Sequence, residues 1–237
     1  FYSIVDRMYI GNIAGTGEIA LAGVGICGPI VTLISSVAFL VGVGGSPLMS
    51  IRLGEKNERA ARQILANCFL LLTVLSAAIT VIALLMKNHL LMWFGASEAT
   101  FPYANEYITF YLLGTVFALL ATGMNQFIIC QGYAKVGMKS VLIGAVCNII
   151  LDPVFIFVFH MGVRGAAVAT VLSQMASCAY VLKFLFSERA PVRITFGEYD
   201  WQIMKRVLLI GLSPFLIIAF DNILIIALNT VIQKYGG

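Results

Sequence analysis

Long reaches of this sequence carry no charge. Residues 19–51, 63–86, 107–134 and 165–182 contain no Asp, Glu, Lys or Arg. Residues 140–163 hold only Asp152 and His160, and residues 207–233 only Asp221. Charged residues make up 11% of the 237-residue chain and apolar ones 60%, with a mean hydropathy of +0.97. A soluble domain averages about 25% charged, and a chain this short cannot hide so much apolar surface from water in its own core. A water-soluble fold is excluded on that pattern. Other absences narrow the field. No Asn-x-Ser/Thr sequon occurs, and Cys27, Cys68, Cys130, Cys147 and Cys178 show neither metal nor redox spacing. All five lie in apolar stretches, where a cysteine behaves as a small apolar side chain. No Ser/His/Asp set, metal cluster or phosphate loop is present, so nothing supports an enzyme or a bound cofactor.

What is present is a series of segments of membrane-spanning length. About 20 apolar residues cross about 30 Å of hydrocarbon as a helix. The chain reads as an all-α, polytopic membrane bundle. Residues 1–14 form the outer end of a truncated first helix, followed by an outer loop at Gly15, Gly17 and Glu18. Spans follow over 23–50, 63–86, 104–131, 140–160, 165–186 and 207–232. Residues 200–206, with Trp201 and Met204 on the apolar side, read as a short interfacial helix. Phe1 and Gly237 read as cuts in a longer protein.

The net charge of +4 is distributed as a membrane topology requires rather than as a nucleic-acid surface. Threading alternate loops to opposite sides puts Arg52, Lys56, Arg59, Arg62, Lys135, Lys139, Lys183, Arg189, Arg193, Lys205 and Arg206 together. Lys87, Arg164 and Lys234 fall on the other side. The positive-inside rule makes the first set cytoplasmic. Gly23, Gly25 and Gly28 match a dinucleotide-binding pattern, but that pattern works only at a strand–turn–helix junction. Inside a span, close helix packing explains the glycines better.

An ionisable group inside a span costs several kcal/mol unless it faces a cavity or a partner. Three acids qualify: Asp6, Asp152 and Asp221. Asn148 stands one turn before Asp152 on the same helix face, and Pro153 cannot donate to the carbonyl of Ile149. A carboxylate, an amide and a loosened carbonyl then converge where low dielectric favours a neutral carboxyl. Such a group can hold a proton, or offer hard oxygens to Na⁺. At about 1.5 Å per residue, Asp6, Asp152 and Thr170 fall in one layer, roughly 9–12 Å below the outer ends of their helices. Thr170, Gln174 and Ser177 form a polar stripe. Asn125 and Gln126 can line an inner vestibule or bond a neighbouring helix. The plainer alternatives are that Asp152 and Asn148 join helices by hydrogen bonds, that Asp6 pairs with adjacent Arg7, and that Asp221 is a packing partner. His89 and His160 read as interface residues.

Several blocks carry a resemblance: Val5-Asp6-Arg7 with Ile10-Gly11, Leu53-Gly54 through Ala60-Ala61, and Gln131-Gly132. With them go Asn148-Ile149-Ile150-Leu151-Asp152-Pro153, Met161-Gly162-Val163, and Gly165-Ala166-Ala167-Val168-Ala169-Thr170. In these the chain resembles the multidrug and toxic compound extrusion (MATE) family along its whole length. The resemblance implies a twelve-helix protein of two six-helix lobes. Residues 1–186 would form the first lobe, 187–206 a cytoplasmic linker, and 207–237 the seventh helix, which opens the second lobe. It implies export of small organic, often cationic, compounds in exchange for H⁺ or Na⁺ by alternating access. The expected place is a cell membrane of the bacterial inner-membrane type. The family's first-lobe cation site falls on Asp6, Asn148, Asp152 and Thr170. Asp221 falls where some members carry a seventh-helix acid, so with Asn125 and Gln174 it is expected to line the substrate cavity. A flippase for lipid-linked precursors, of related fold, is the alternative. It should need a basic cavity, and only Arg7 lies near a span interior.

Overall fold

Residues 2–235 are described by a computed structural model, and among them the chain is helical apart from turns and the irregular segment 187–200, with no strand. Helix α1 (Tyr2–Ile10) leads through a turn into α2 (Gly17–Gly54). Gly17 and Glu18, expected in the loop, already belong to α2, since the turn closes earlier through Gly17 N–H donating to the Ile13 carbonyl at 3.0 Å. With 38 residues, α2 is about 57 Å long at 1.5 Å per residue. It overshoots the apolar core at both ends. Helix α3 (Glu58–Trp93) is begun by Asn57, whose side-chain oxygen accepts from the Ala60 N–H at 3.1 Å.

The apolar run expected as one span over 104–131 is two helices, α4 (Phe101–Leu113) and α5 (Thr115–Cys130), bent by 57°. The break falls at Gly114. A Cβ there would stand 2.6 Å from both methyls of Val171, so the glycine lets the next helix layer press into the bend. Helix α6 (Ala134–Pro153) runs into a single π-helical turn, Val154–Val158. Pro153 is the cause. Without an N–H it cannot continue the ladder, and Phe159 N–H reaches back to the Val154 carbonyl at 3.0 Å. Gly162, at φ +61°, turns the chain into α7 (Val163–Phe186).

Helix α8 (Trp201–Tyr235) is continuous. The expected interfacial segment at 200–206 is therefore its first turns rather than a separate helix. Its start is tied down by Asp200 N–H donating to Asn67 Oδ1 at 2.8 Å, while Asn67 Nδ2 donates to the Glu198 carbonyl at 3.2 Å. The segment before it is not a loose connection: Ala190, Val192 and Ile194 are buried, and Val192 N–H donates to Gln131 Oε1 at 2.9 Å. Helix α8 lies antiparallel along α2, with Gly211 facing Leu40 and Gly44 facing Val207 so closely that any side chain there would overlap backbone. Gly23 serves the same end, its missing Cβ leaving 2.9 Å to the Thr100 carbonyl oxygen. Small residues at helix contacts are what a membrane bundle requires.

Five helices are long and apolar enough to cross a membrane, and the bent α4–α5 pair makes a sixth. Large apolar side chains such as Val74, Leu85, Ile150 and Ile217 are exposed along α3, α6 and α8, which suits hydrocarbon and not water. The chain is a multi-pass membrane protein.

Candidate ion-binding cluster and its adjoining cavity

Four residues distant in sequence meet in one place. Asp6 of α1, Asn148 and Asp152 of α6 and Thr170 of α7 are each 0–1% exposed. Thr170 Oγ1 lies 3.0 and 2.8 Å from the two Asp6 carboxylate oxygens. Asn148 Nδ2 faces Asp6 Oδ1 at 3.4 Å, Asp152 Oδ1 at 3.2 Å and Thr170 Oγ1 at 3.3 Å. The single layer expected from helix depth is present, and the local Asp6–Arg7 pair is not formed. A fifth member was not read from the sequence. Tyr107 of α4, 4% exposed, donates its hydroxyl to Asp6 Oδ2 at 2.6 Å. Its signal was available: a tyrosine mid-span needs a partner for its hydroxyl, and Tyr111 repeats it one turn on, the two rings stacked at 6.0 Å.

Not every buried oxygen in the cluster is served. Asp152 Oδ2 and Asn148 Oδ1 have no hydrogen-bond partner. A buried acceptor without a donor costs about 1–3 kcal/mol. Two such oxygens beside two carboxylates form a donor set that fits a proton shared by the acids, or a hard cation such as Na⁺. Among the described residues no group of three or more His, Cys, Asp or Glu is arranged for a metal. An oxygen-only set of two acids, an amide and a hydroxyl is a different chemistry from such a cluster.

Tyr107 and Thr170 also face the other way. Both line a cavity of about 610 Å³ enclosed by α1, α2, α4, α5, α7 and α8. Its walls include Tyr111 and Gln174, joined by Gln174 Nε2 donating to the Tyr111 hydroxyl at 3.2 Å, and the charged residues Arg7 and Asp221. A volume of this size suits a small organic molecule. Gln174 and Asp221 both line this cavity; Asp221 is exposed on its wall, while its neighbour Asn222 is buried at 4%. Asn125 falls elsewhere. With Gln126, Ser140, Ser177 and Gln174 it lines a second chamber of about 270 Å³ nearer the basic-loop end. Ser140 Oγ donates to Asn125 Oδ1 at 3.4 Å, and Ser177 Oγ to the Ser140 carbonyl at 2.9 Å.

A helical bundle that walls two acids into its membrane interior, one hydrogen bond away from a drug-sized cavity, belongs to the class of polytopic helical membrane proteins in which buried acids mark a functional site. The sequence matches the MatE family over residues 1–154, and the chain belongs to that family. It is 26% identical to the multidrug export protein MepA of Staphylococcus haemolyticus, over all of this chain and 52% of that protein. It is likewise 26% identical to a FAD transporter of Shewanella oneidensis, over 87% of this chain and 47% of that one. The fold superimposes with a TM-score of 0.91 on the inward-facing conformation of a multidrug resistance MATE family transporter, at 30% identity, covering 100% of this chain and 54% of the other. The chain spans about half the length of the relatives it matches.

Proposed function

We propose that the chain acts as the first lobe and seventh helix of a two-lobed secondary transporter. Residues 1–186 form the lobe, 187–206 the linker, and the span from 207 begins the second lobe. The transporter exports small organic, often cationic, compounds through the larger cavity. H⁺ or Na⁺ moves in exchange at Asp6, Asn148, Asp152 and Thr170, with the basic loops on the cytoplasmic side.

The observation that carries this reading is the shared wall. Tyr107 and Thr170 hydrogen-bond Asp6 on one side and line the cavity on the other. When a cation occupies the cluster, the carboxylate oxygens turn from these hydroxyls towards it, and the cavity wall must shift. The cargo then feels the ion through the two side chains that both touch. Linkage makes this reciprocal, which is what exchange requires. The π-helical turn after Pro153 supplies a deformable element beside Asp152. Multidrug export by the staphylococcal relative agrees with this cargo class, and the FAD transporter indicates that cargo varies among relatives. A pyrophosphate flippase is less well supported, because the cavity wall offers Arg7 as its only basic side chain among the described residues.

The test is gradient-driven movement of a fluorescent cationic dye in everted vesicles holding the intact transporter, with a pH or Na⁺ gradient imposed. Movement driven by one gradient and abolished by Asp152→Asn is expected, and it names the ion. Undiminished coupled export by Asp152→Asn would sink the proposal.

A further inference from the structure

Asp6 and Arg7 are adjacent, yet a turn of about 100° per residue sends them to different places. Asp6 enters the cluster, whereas Arg7 opens into the 610 Å³ cavity. Among the described residues the ion pairs are Arg52–Glu55, Arg59–Glu198, Arg164–Glu106 and Arg193–Glu188. None reaches Arg7, and no hydrogen bond holds its guanidinium. Asp221 of α8 lines the same cavity and is also outside every ion pair. The two lie at one level. Gly211 of α8 faces Leu40 of α2 in an antiparallel pair, so Asp221, ten residues on, falls beside Ile30, ten residues back. Arg7 Nη2 lies 2.8 Å from where a Cβ would be at Gly28, in that same layer of α2. Tyr107, Tyr111, Ile218 and Ile225 line the same cavity.

Both Arg7 and Asp221 are exposed along the cavity wall, so their charges are reachable rather than sealed in the protein interior. Held apart across one cavity, each presents its charge to whatever fills it. The geometry points to a cargo subsite for organic zwitterions: Arg7 takes an oxyanion of the cargo, Asp221 takes its cationic group, and the apolar body lies against the tyrosines and isoleucines. Arginine suits the first task because its fork of donors matches a carboxylate. This inference rests on the larger cavity being the cargo cavity of the export reading.

A matched pair of dyes separates the two charges. Tetramethylrhodamine carries a xanthylium cation and a carboxylate, and its methyl ester keeps only the cation. Binding of each to the purified intact transporter would be read by fluorescence polarisation. Expected is a fall of about tenfold or more in the preference for the zwitterion over the ester in Arg7→Gln, as for a lost charge-assisted hydrogen bond, with the preference largely restored in Arg7→Lys. Asp221→Asn should weaken both dyes to a similar extent. An unchanged preference in folded Arg7→Gln overturns the subsite, as does failure of the wild type to bind either dye. Should Arg7→Gln not fold, Asp221→Asn decides, because unchanged affinity for both dyes overturns the proposal. Binding needs no gradient, so a protein that shows this preference but moves neither dye would overturn the export reading alone.

Discussion

Two pairs of ionisable groups lie within the spans of this bundle, one buried and one exposed, and the protein treats them in opposite ways. Asp6 and Asp152 are sealed at 0% exposure; Tyr107 and Thr170 donate to Asp6, and Asn148 donates to both acids. Arg7 and Asp221 are exposed on a cavity wall, and among the described residues neither is in an ion pair. The first arrangement is a fixed set of oxygens, of which all but two, Asp152 Oδ2 and Asn148 Oδ1, are held against donors, and on the proposed reading this set takes a proton or cation. The second is a pair of separated charges with room between them, which suits a guest of variable shape. Sealing favours selectivity for a small ion, whereas openness favours tolerance of many cargoes.

If that division is right, the largest effect comes from the sealed pair. Asp6→Asn should lower gradient-driven export ~100-fold, the scale of a lost charged interaction in a buried site. Asp221→Asn should lower it only several-fold in the same vesicle assay. The reverse order would break the comparison. Tyr107→Phe comes next. It takes the 2.6 Å donor from Asp6 Oδ2 and leaves a buried carboxylate oxygen short of a bond, a cost of about 1.5–3 kcal/mol. Export should slow roughly tenfold on that figure, and the melting temperature should fall measurably. A mutant with wild-type rates would show that Tyr107 packs but does not couple.

The sealed site was largely legible in the sequence, and the physics explains why. A carboxylate in a span is so costly that each one is informative; helix depth sets Thr170 in the layer of Asp6 and Asp152, helix periodicity sets Asn148 on the face of Asp152, and the family resemblance groups all four. Tyr107 escaped because an amphipathic ring reads equally as core or interface. The bend at Gly114 has no sequence signal because the run 107–134 has neither proline nor charge to punctuate it, and it is accommodated by Val171 of another helix. The start of α8 was misread for a related reason. Asp200, Lys205 and Arg206 set residues 200–206 apart from the apolar span as a separate interfacial helix, but the join is anchored by hydrogen bonds to Asn67 and Gln63 of α3 and the helix runs through. Contacts between helices leave little trace in a sequence whose apolar residues face lipid and core alike.

The bend also offers a control on the comparison, since it aims α4 at the cluster and α5 at the lower chamber. Gly114→Ala would press a methyl onto Val171 at 2.6 Å, and overpacking of this kind costs about 1–3 kcal/mol. The expected result is a lower melting temperature, recovered in the Gly114→Ala, Val171→Ala double variant. Recovery of stability without recovery of export would show that the bend angle itself serves the cluster.

The smallest expected effect is also the most selective. In Gly28→Ala the new methyl would fall 2.8 Å from Arg7 Nη2. That atom ends a flexible side chain, so the guanidinium can yield by a few tenths of an ångström without disturbing α2. Zwitterion affinity should drop roughly two- to threefold, the equivalent of ~0.5 kcal/mol, while the ester, which does not need Arg7, changes less. Equal losses for both dyes would mean that the glycine serves the packing of α2 and that its nearness to Arg7 carries no part of cargo recognition.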